Sequence, residues 1–529
     1  MNGSVRIGNA LTSVALAAIA AGACNRSARD ATTRPDQTAS QTRTMMVASG
    51  GPAGAPRSLK DADIRRAVVD ELFRGPHVRD GSILVDCADG IVELTGTVDN
   101  LLAKDRAVAI AEGVKGVRAV SDRIHVEPVN RTDTAIVSDV RSALQYDPAA
   151  RSYKIGVSGS NGTVRLSGVV QSWNERRLAD RLARSVRGVR AVNDDGLTVT
   201  LVGSRGDADI QRDITSRLGW DTFLHDDPIT VSVDKGRVRL SGVVGSAAEK
   251  SEAQLAGWVR GVTGVDGSGL SVEWWERDAN ARSQKYPPRT DAEIAAAVKD
   301  AMLYDPRVVS FEVKPTAMGG VVTLSGQVTS LKAKLAAESL ARHTVGVMGV
   351  HNEIAVKAGP PISDQDLAKH VSSALAFDPS LTEASVDARA ANGRVTLTGK
   401  VPTMFERAEA LDVASSMNGV VSVDNQLRVS APEVPFVWQS HVFPFGPYVE
   451  EWHYLTDAPM QSDKEIVRNI NRELDWSPFV DATRVHVDVR GGKATLTGQV
   501  GSWSSRGAAE DDAFEGGAIS VDNQLTVAG

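Results

Sequence analysis

Residues 161–168 read NGTVRLSG. Asn-Gly is a strong hairpin-turn signal, because both residues tolerate the positive φ of a tight two-residue turn. Behind it, Val164 and Leu166 alternate with Thr163, Arg165 and Ser167. That is the period-two pattern of a strand with one apolar and one polar face. The stretch recurs as DGIVELTG at 89–96, KGRVRLSG at 235–242, GGVVTLSG at 319–326, NGRVTLTG at 392–399 and GGKATLTG at 491–498. Six copies with one internal spacing define a repeat protein, and the rest of the chain is read outward from them.

Upstream of each copy, apolar residues fall at i, i+4 and i+8: Ile64/Val68/Leu72, Ile136/Val140/Leu144, Ile210/Ile214/Leu218, Ile294/Val298/Met302, Leu367/Val371/Leu375 and Ile466/Ile470/Leu474. This is one buried helical face. Thr290 with Glu293 and Ser462 with Glu465 form capping boxes. Tyr146-Asp147-Pro148, Tyr304-Asp305-Pro306 and Phe377-Asp378-Pro379 mark helix stops, since proline cannot continue a helix. A first strand follows, as in Ile229/Val231/Val233, and then the hairpin. Ser172 with Glu175, Ser246 with Glu249 and Thr403 with Glu406 open a second helix. We expect it to end at C-capping glycines near Gly116, Gly188, Gly261, Gly346, Gly419 and Gly517. A last strand carries pairs such as Ile124/Val126 and Leu427/Val429.

The unit is therefore α-β-β-α-β, one face of a three-stranded sheet packed on two helices, in the α+β class. The pattern DxxIxxxVxxAL…VxVxxGxVxLSGxV…AxxxAxxVxGVxxVxNxLxV resembles the BON domain of bacterial envelope proteins. The resemblance covers 61–128, 132–202, 207–275, 290–358, 362–430 and 462–528. Repeat one lacks the Asp-Pro turn, repeat three lacks the Asn of the last strand, and repeat six has an irregular second helix. A linker at 276–289 suggests a hinge, with repeats docked in two groups on either side.

The N-terminus reads as an export signal over residues 1–23: Arg6, an apolar run from Leu11 to Ala21, then Ala21-Gly22-Ala23-Cys24. Two readings share that cut, ordinary secretion at an A-x-A site and lipidation of Cys24. The sequence resembles a bacterial lipobox, although Ala21 stands where lipoproteins usually have Leu. Lipidation is favoured, because only two cysteines exist and one sits at the cut. Asn25 rather than Asp follows, so the resemblance implies no inner-membrane retention and points to a periplasmic protein anchored to the outer membrane. Residues 24–60 lack hydrophobic period and read as a disordered tether.

Composition excludes several classes. A formal charge of −7 argues against a chain built to coat nucleic acid. Cys24 and Cys87 cannot supply a disulfide framework or a four-cysteine zinc site. Cys87 aligns with Val233 and Val489 and reads as a small buried hydrophobe. There is no G-x-S-x-G elbow, H-E-x-x-H, P-loop or dinucleotide fingerprint, so no enzyme and no cofactor are expected.

Strand alternation places Arg165, Arg237, Arg239, Arg394 and Lys493 on the polar sheet face, where Glu93 takes the equivalent place in repeat one. BON domains are associated with phospholipid binding, so the resemblance makes these five the candidate phosphate contacts. The bland alternative is a solvated sheet face. Residues 431–461 hold seven of the 25 aromatics: Phe436, Trp438, Phe443, Phe445, Tyr448, Trp452 and Tyr454. They either insert into a membrane or partner, or wrap an open sheet of the repeats. His441 and His453 lie in the same segment with Glu450, Glu451 and Asp457, but their wide spacing between Pro and Gly interruptions gives no metal motif. The expected function is noncatalytic: binding phospholipid surfaces and supporting envelope integrity under osmotic or other stress. A scaffold for an envelope secretion or export complex is the alternative, with other envelope proteins as partners. The sequence leaves the oligomeric state open.

Overall fold

Two positive-φ residues at each hairpin, and an aspartate one helix upstream, shape every repeat. The structure, a computed structural model, describes residues 59–74, 82–151, 153–200, 205–224, 228–275, 289–303, 305–308, 312–357, 362–382, 384–402, 404–429, 461–501 and 503–527. Repeat one comprises α1 (Asp61–Arg74), β1 (Ile83–Ala88), β2 (Ile91–Val98), α2 (Leu101–Glu112) and β3 (Ala119–Val126). Repeat two has α3 (Asp133–Tyr146), β4 (Lys154–Ser160), β5 (Thr163–Val170), α4 (Trp173–Arg184) and β6 (Ala191–Val199). Repeat three has α5 (Asp207–Trp220), β7 (Ile229–Asp234), β8 (Arg237–Val244), α6 (Ala247–Ala256) and β9 (Gly264–Val272). Repeat four has α7 (Asp291–Met302), β10 (Val313–Met318), β11 (Val321–Val328), α8 (Leu331–Arg342), β12 (Gly349–Asn352) and β13 (Ala355–Val356). Repeat five has α9 (Asp364–Phe377), β14 (Ser385–Ala391), β15 (Arg394–Val401), α10 (Met404–Ser415), β16 (Ser422–Asn425) and β17 (Arg428–Val429). Repeat six has α11 (Asp463–Trp476), β18 (Val485–Arg490), β19 (Lys493–Val500), α12 (Trp503–Glu515), β20 (Ser520–Asn523) and β21 (Thr526–Val527). The irregular sequence of repeat six therefore still forms its second helix.

In each sheet the second strand is central, antiparallel to the first and parallel to the last, as β2 is to β1 and β3. Val164 and Leu166 turn inward and are at most 1% exposed. The first aspartate of every first helix reaches across to the hairpin. Asp133 accepts hydrogen bonds from the backbone N–H of Asn161 and Gly162, both at 2.9 Å. Asp61, Asp207, Asp291, Asp364 and Asp463 make the same double contact with their own turns. These amides hold Asp61, Asp133 and Asp291 below the usual carboxylate range, because they favour the charged form. The closing glycine of the motif is equally constrained. At Gly242 (φ +134°) a Cβ would lie 2.0 Å from the Pro228 carbonyl oxygen, so no other residue fits without moving the strand.

Two local expectations change. Gly116, Gly188, Gly261, Gly346 and Gly419 lie past the helix ends rather than capping them, as α2 already ends at Glu112 with Gly113 as cap, whereas Gly517 does cap α12, its N–H donating to the Phe514 carbonyl and that of Ala518 to the Ala513 carbonyl. Gly116 (φ +90°) instead turns the following loop down onto Ile64, where a Cβ would come within 3.0 Å of the Ile64 Cδ1. The last strand is also broken in repeats four to six. Asn352 accepts from the Ile354 N–H at 3.3 Å and donates to the Lys334 carbonyl at 3.0 Å, tying the strand to α8 and interrupting its pairing. Asn425 and Asn523 do the same in repeats five and six. Repeats two and three keep a continuous strand with a register shift instead.

The repeats do not separate into a leading and a trailing group. Repeats three and six share one apolar core, with Phe223 edge-on to Phe479 at 5.3 Å. Repeats two and five clasp reciprocally: the Arg187 N–H donates to the Phe377 carbonyl at 2.8 Å, and the Asn418 N–H to the Tyr146 carbonyl at 3.0 Å. Val345 to Trp220 (2.9 Å) joins repeats four and three, and Lys115 to Trp476 (3.1 Å) joins one and six. The donor always precedes a positive-φ glycine, and the acceptor is always the aromatic residue that ends a first helix. The Tyr146-Asp147 and Phe377-Asp378 turns, which mark helix stops, are thus docking elements too. Asp147 shapes its turn by accepting from the Ala149 and Ala150 N–H groups, both at 2.9 Å.

Candidate functional site

Each module has an outer sheet face and an inner helix face, and both carry charge. On the outer side, Arg165, Arg237, Arg239, Arg394 and Lys493 are all exposed, as their alternation requires. Arg237 and Arg239 share β8, while the other three sit on three separate sheets. Acids on the parallel neighbour strand answer two of them: Asp266 lies 3.5 Å from Arg239, and Asp522 lies 3.8 Å from Lys493. Repeat one inverts the pair, with Glu93 on β2 and Arg123 on β3 at 3.3 Å. Arg165, Arg237 and Arg394 have no ion pair among the described residues. The polar sheet face is therefore a field of cross-strand pairs with three uncompensated guanidinium groups.

The inner side was not foreseen. An isolated module would leave the charges of its second helix, such as Arg181 and Asp412, open to solvent. Packing of the repeats instead buries many of these charges. A cavity of about 370 Å³ opens between repeats one, two, four and five, lined among others by Asp105, Arg106, Arg181, Lys332, Glu409 and Asp412. Arg106, 3% exposed, donates to the Ser380 hydroxyl at 2.8 Å and stacks 4.5 Å from the Phe405 ring centre. Arg184 pairs with Asp180 at 2.6 Å and Asp105 at 3.4 Å, and Lys332 pairs with Asp412. Burial, then the Glu409 charge, pushes the Asp378 carboxyl well above its usual range, because desolvation disfavours the anion. Elsewhere on this seam, burial raises Glu112 to about 7 against the single hydroxyl hydrogen of Ser251 in repeat three, which is shared between its two carboxylate oxygens. Cations and carboxylates alternate around the cavity, so the seam is a compensated polar interior with little surplus of either sign.

Cys87 is half-buried, its Sγ 3.6 Å from Asp61, and burial raises its thiol to about 11; it stays protonated and unreactive near neutrality. Cys24, the segment Phe436, Trp438, Phe443, Phe445, Tyr448, Trp452 and Tyr454, and the linker centre at 276–288 lie outside the described residues. No helix among the described residues is long and apolar enough to cross a membrane.

A family model described as "BON domain" matches residues 60–128, 132–200, 206–273, 290–358, 363–431 and 462–529. The chain is 31% identical over 141 residues to the osmotically-inducible protein Y of Escherichia coli (strain K12), covering 25% of this chain and 68% of that protein. It is 32% identical over 110 residues to the outer membrane lipoprotein DolP of Haemophilus influenzae, covering 20% of this chain and 56% of that protein. Among solved structures, the C-terminal domain of CdsD, a structural protein of the type III secretion system of Chlamydia trachomatis, aligns over 40% of this chain and 98% of its own. Its identity is 15% and its TM-score 0.12.

Proposed function

This chain belongs to the BON-domain family, and from that premise we propose that it is a noncatalytic protein of the bacterial envelope whose outward sheet faces bind phospholipid surfaces. The observation that carries this reading is the three exposed arginines, Arg165, Arg237 and Arg394, which have no ion pair among the described residues. A guanidinium presents forked donors that match phosphate oxygens. The serine and threonine hydroxyls beside them, such as Ser167 and Thr396, add acceptor-donor groups. The seam cannot serve a flat partner, since its charges are enclosed between repeats.

A removed leader over 1–23, acylation of Cys24 and a tether over 24–60 complete the reading. Together they hold the six modules close to the periplasmic face of the outer membrane and support envelope integrity under osmotic stress. Insertion of the aromatic segment 431–461 would add a second contact with the membrane. Co-sedimentation with vesicles tests the proposal: binding to vesicles containing an anionic phospholipid should exceed binding to zwitterionic vesicles and weaken with salt, because exposed charges are screened. Recovery of one stoichiometric envelope protein with no vesicle binding would instead favour the scaffold reading.

A further inference from the structure

The modules are joined by a rule that the repeats share. The first residue of a second helix enters the next module. Leu101 of α2 packs in the core of repeat two, Trp173 of α4 lies against Trp258 of repeat three with ring centres 4.4 Å apart, and Ala247 of α6 packs in the core of repeat one. The order one to two, two to three, three to one closes a head-to-tail ring. In the second half, Leu331 of α8 likewise packs on the core of repeat five, and the charge of Arg342 in repeat four acts on Glu510 of repeat six.

Two kinds of contact join the halves. The backbone clasps pair repeat one with six, two with five and three with four. The second kind uses one common place, two residues beyond Asp305, Asp378 and Ser477 at the ends of the first helices. There, Arg307 of repeat four lines a cavity with Asp147 and Arg177 of repeat two, Ser380 of repeat five accepts from Arg106 of repeat one at 2.8 Å, and Phe479 of repeat six meets Phe223 of repeat three. Each module thus holds two modules of the opposite half. A closed ring of three facing a second three through paired contacts is the connectivity of a dihedral hexamer of one module.

We propose that this chain is a fused hexamer of BON modules, in which the inner surface of repeats one to three is a docking site for a three-module BON array. Repeats four to six occupy that site here, and the same half of a second copy fits it equally. The clasps are backbone amides on carbonyls, and the shared core of repeats three and six is apolar, so the affinity lies in the interface. A covalent link between the halves raises their effective concentration and adds no contact.

The test uses the full chain with a specific protease site placed within 276–288. After cleavage the halves should stay together as a one-to-one particle on dilution to about 1 μM, where weak contacts part. Mixing with a mass-tagged cleaved copy, through mild denaturant and back, should yield particles holding one half from each copy. Halves that separate on cleavage, folded or not, or that never exchange with the second copy, overturn the proposal. The uncut chain gives an independent reading. Asn418→Pro removes one clasp donor, so amide exchange should quicken by about tenfold near Tyr146 in repeat two as well as in repeat five. Quickening confined to repeat five overturns the docking.

Discussion

The outer sheet faces and the inner helix seam are built from the same residue types, yet they have opposite fates. Arg165 and Arg106 are both arginines on amphipathic elements. The first stands exposed on β5; the second is 3% exposed, stacked on Phe405 and bonded to Ser380. Strand alternation sets the first environment within a single module. Only the packing of repeats one and five sets the second. A charge on an amphipathic surface is therefore assigned to solvent safely only when no sister module can cover it.

The largest test of that contrast is Arg106→Met. Removing this buried cation weakens the compensation of Asp378 and Glu409 and should cost about 3–5 kcal/mol in chemical unfolding. A loss below about 1 kcal/mol would mean that the seam is hydrated and the contrast false.

Glu112→Gln sharpens the same point through pH. The folded carboxyl titrates at about 7 against an ordinary value of 4.5, so between those values the folded state holds a proton that the unfolded chain releases. Its pKa is raised, so this group opposes folding more strongly as pH climbs from 4.5 to 7. The gain of Glu112→Gln over the unaltered chain should therefore be larger at pH 8 than at pH 5, by on the order of 1–3 kcal/mol. Equal gains at both pH values would place Glu112 in solvent.

Asp133→Ala should have a narrower effect. Its two amide bonds hold one hairpin, so amide exchange should accelerate at Asn161 and Gly162 while the hairpins of other repeats stay protected. That lowered carboxyl also makes its contribution disappear as pH falls below the usual carboxylate range. Smallest of all, Arg165→Ala should shift stability by less than about 0.5 kcal/mol, as expected for an exposed residue. A larger loss would show that the outer arginine is structural.

The modules were legible because their signals are local. Period-two strands, i/i+4 helices and turn glycines report burial within about 68 residues, and the polarity of Arg165, Arg237 and Arg394 followed from alternation alone. The tether from Asp133 to its hairpin was visible as a repeated letter, but its role depended on a contact 28 residues away. Least legible was the seam, since Arg181 and Asp412 meet the same helical pattern as any solvated charge. One signal was present: aromatic residues recur at the ends of first helices, at Tyr146, Trp220, Phe377 and Trp476, in a chain only 5% aromatic. Their carbonyls and rings mark where the next module docks. Asn352 carried a comparable clue, because its amide, unlike the Asp122 carboxylate at the equivalent place in repeat one, can donate to the preceding helix as well as accept from the backbone two positions on.

Arginine-selective covalent footprinting of the full chain, with and without anionic phospholipid vesicles, tests the central claim most directly. Arg165, Arg237 and Arg394 should label readily in solution and become shielded on vesicles, while Arg106 and Arg181 stay unlabelled in both conditions. Labelling of Arg106 in solution, or unchanged labelling of the three outer arginines on vesicles that bind the protein, would contradict the account.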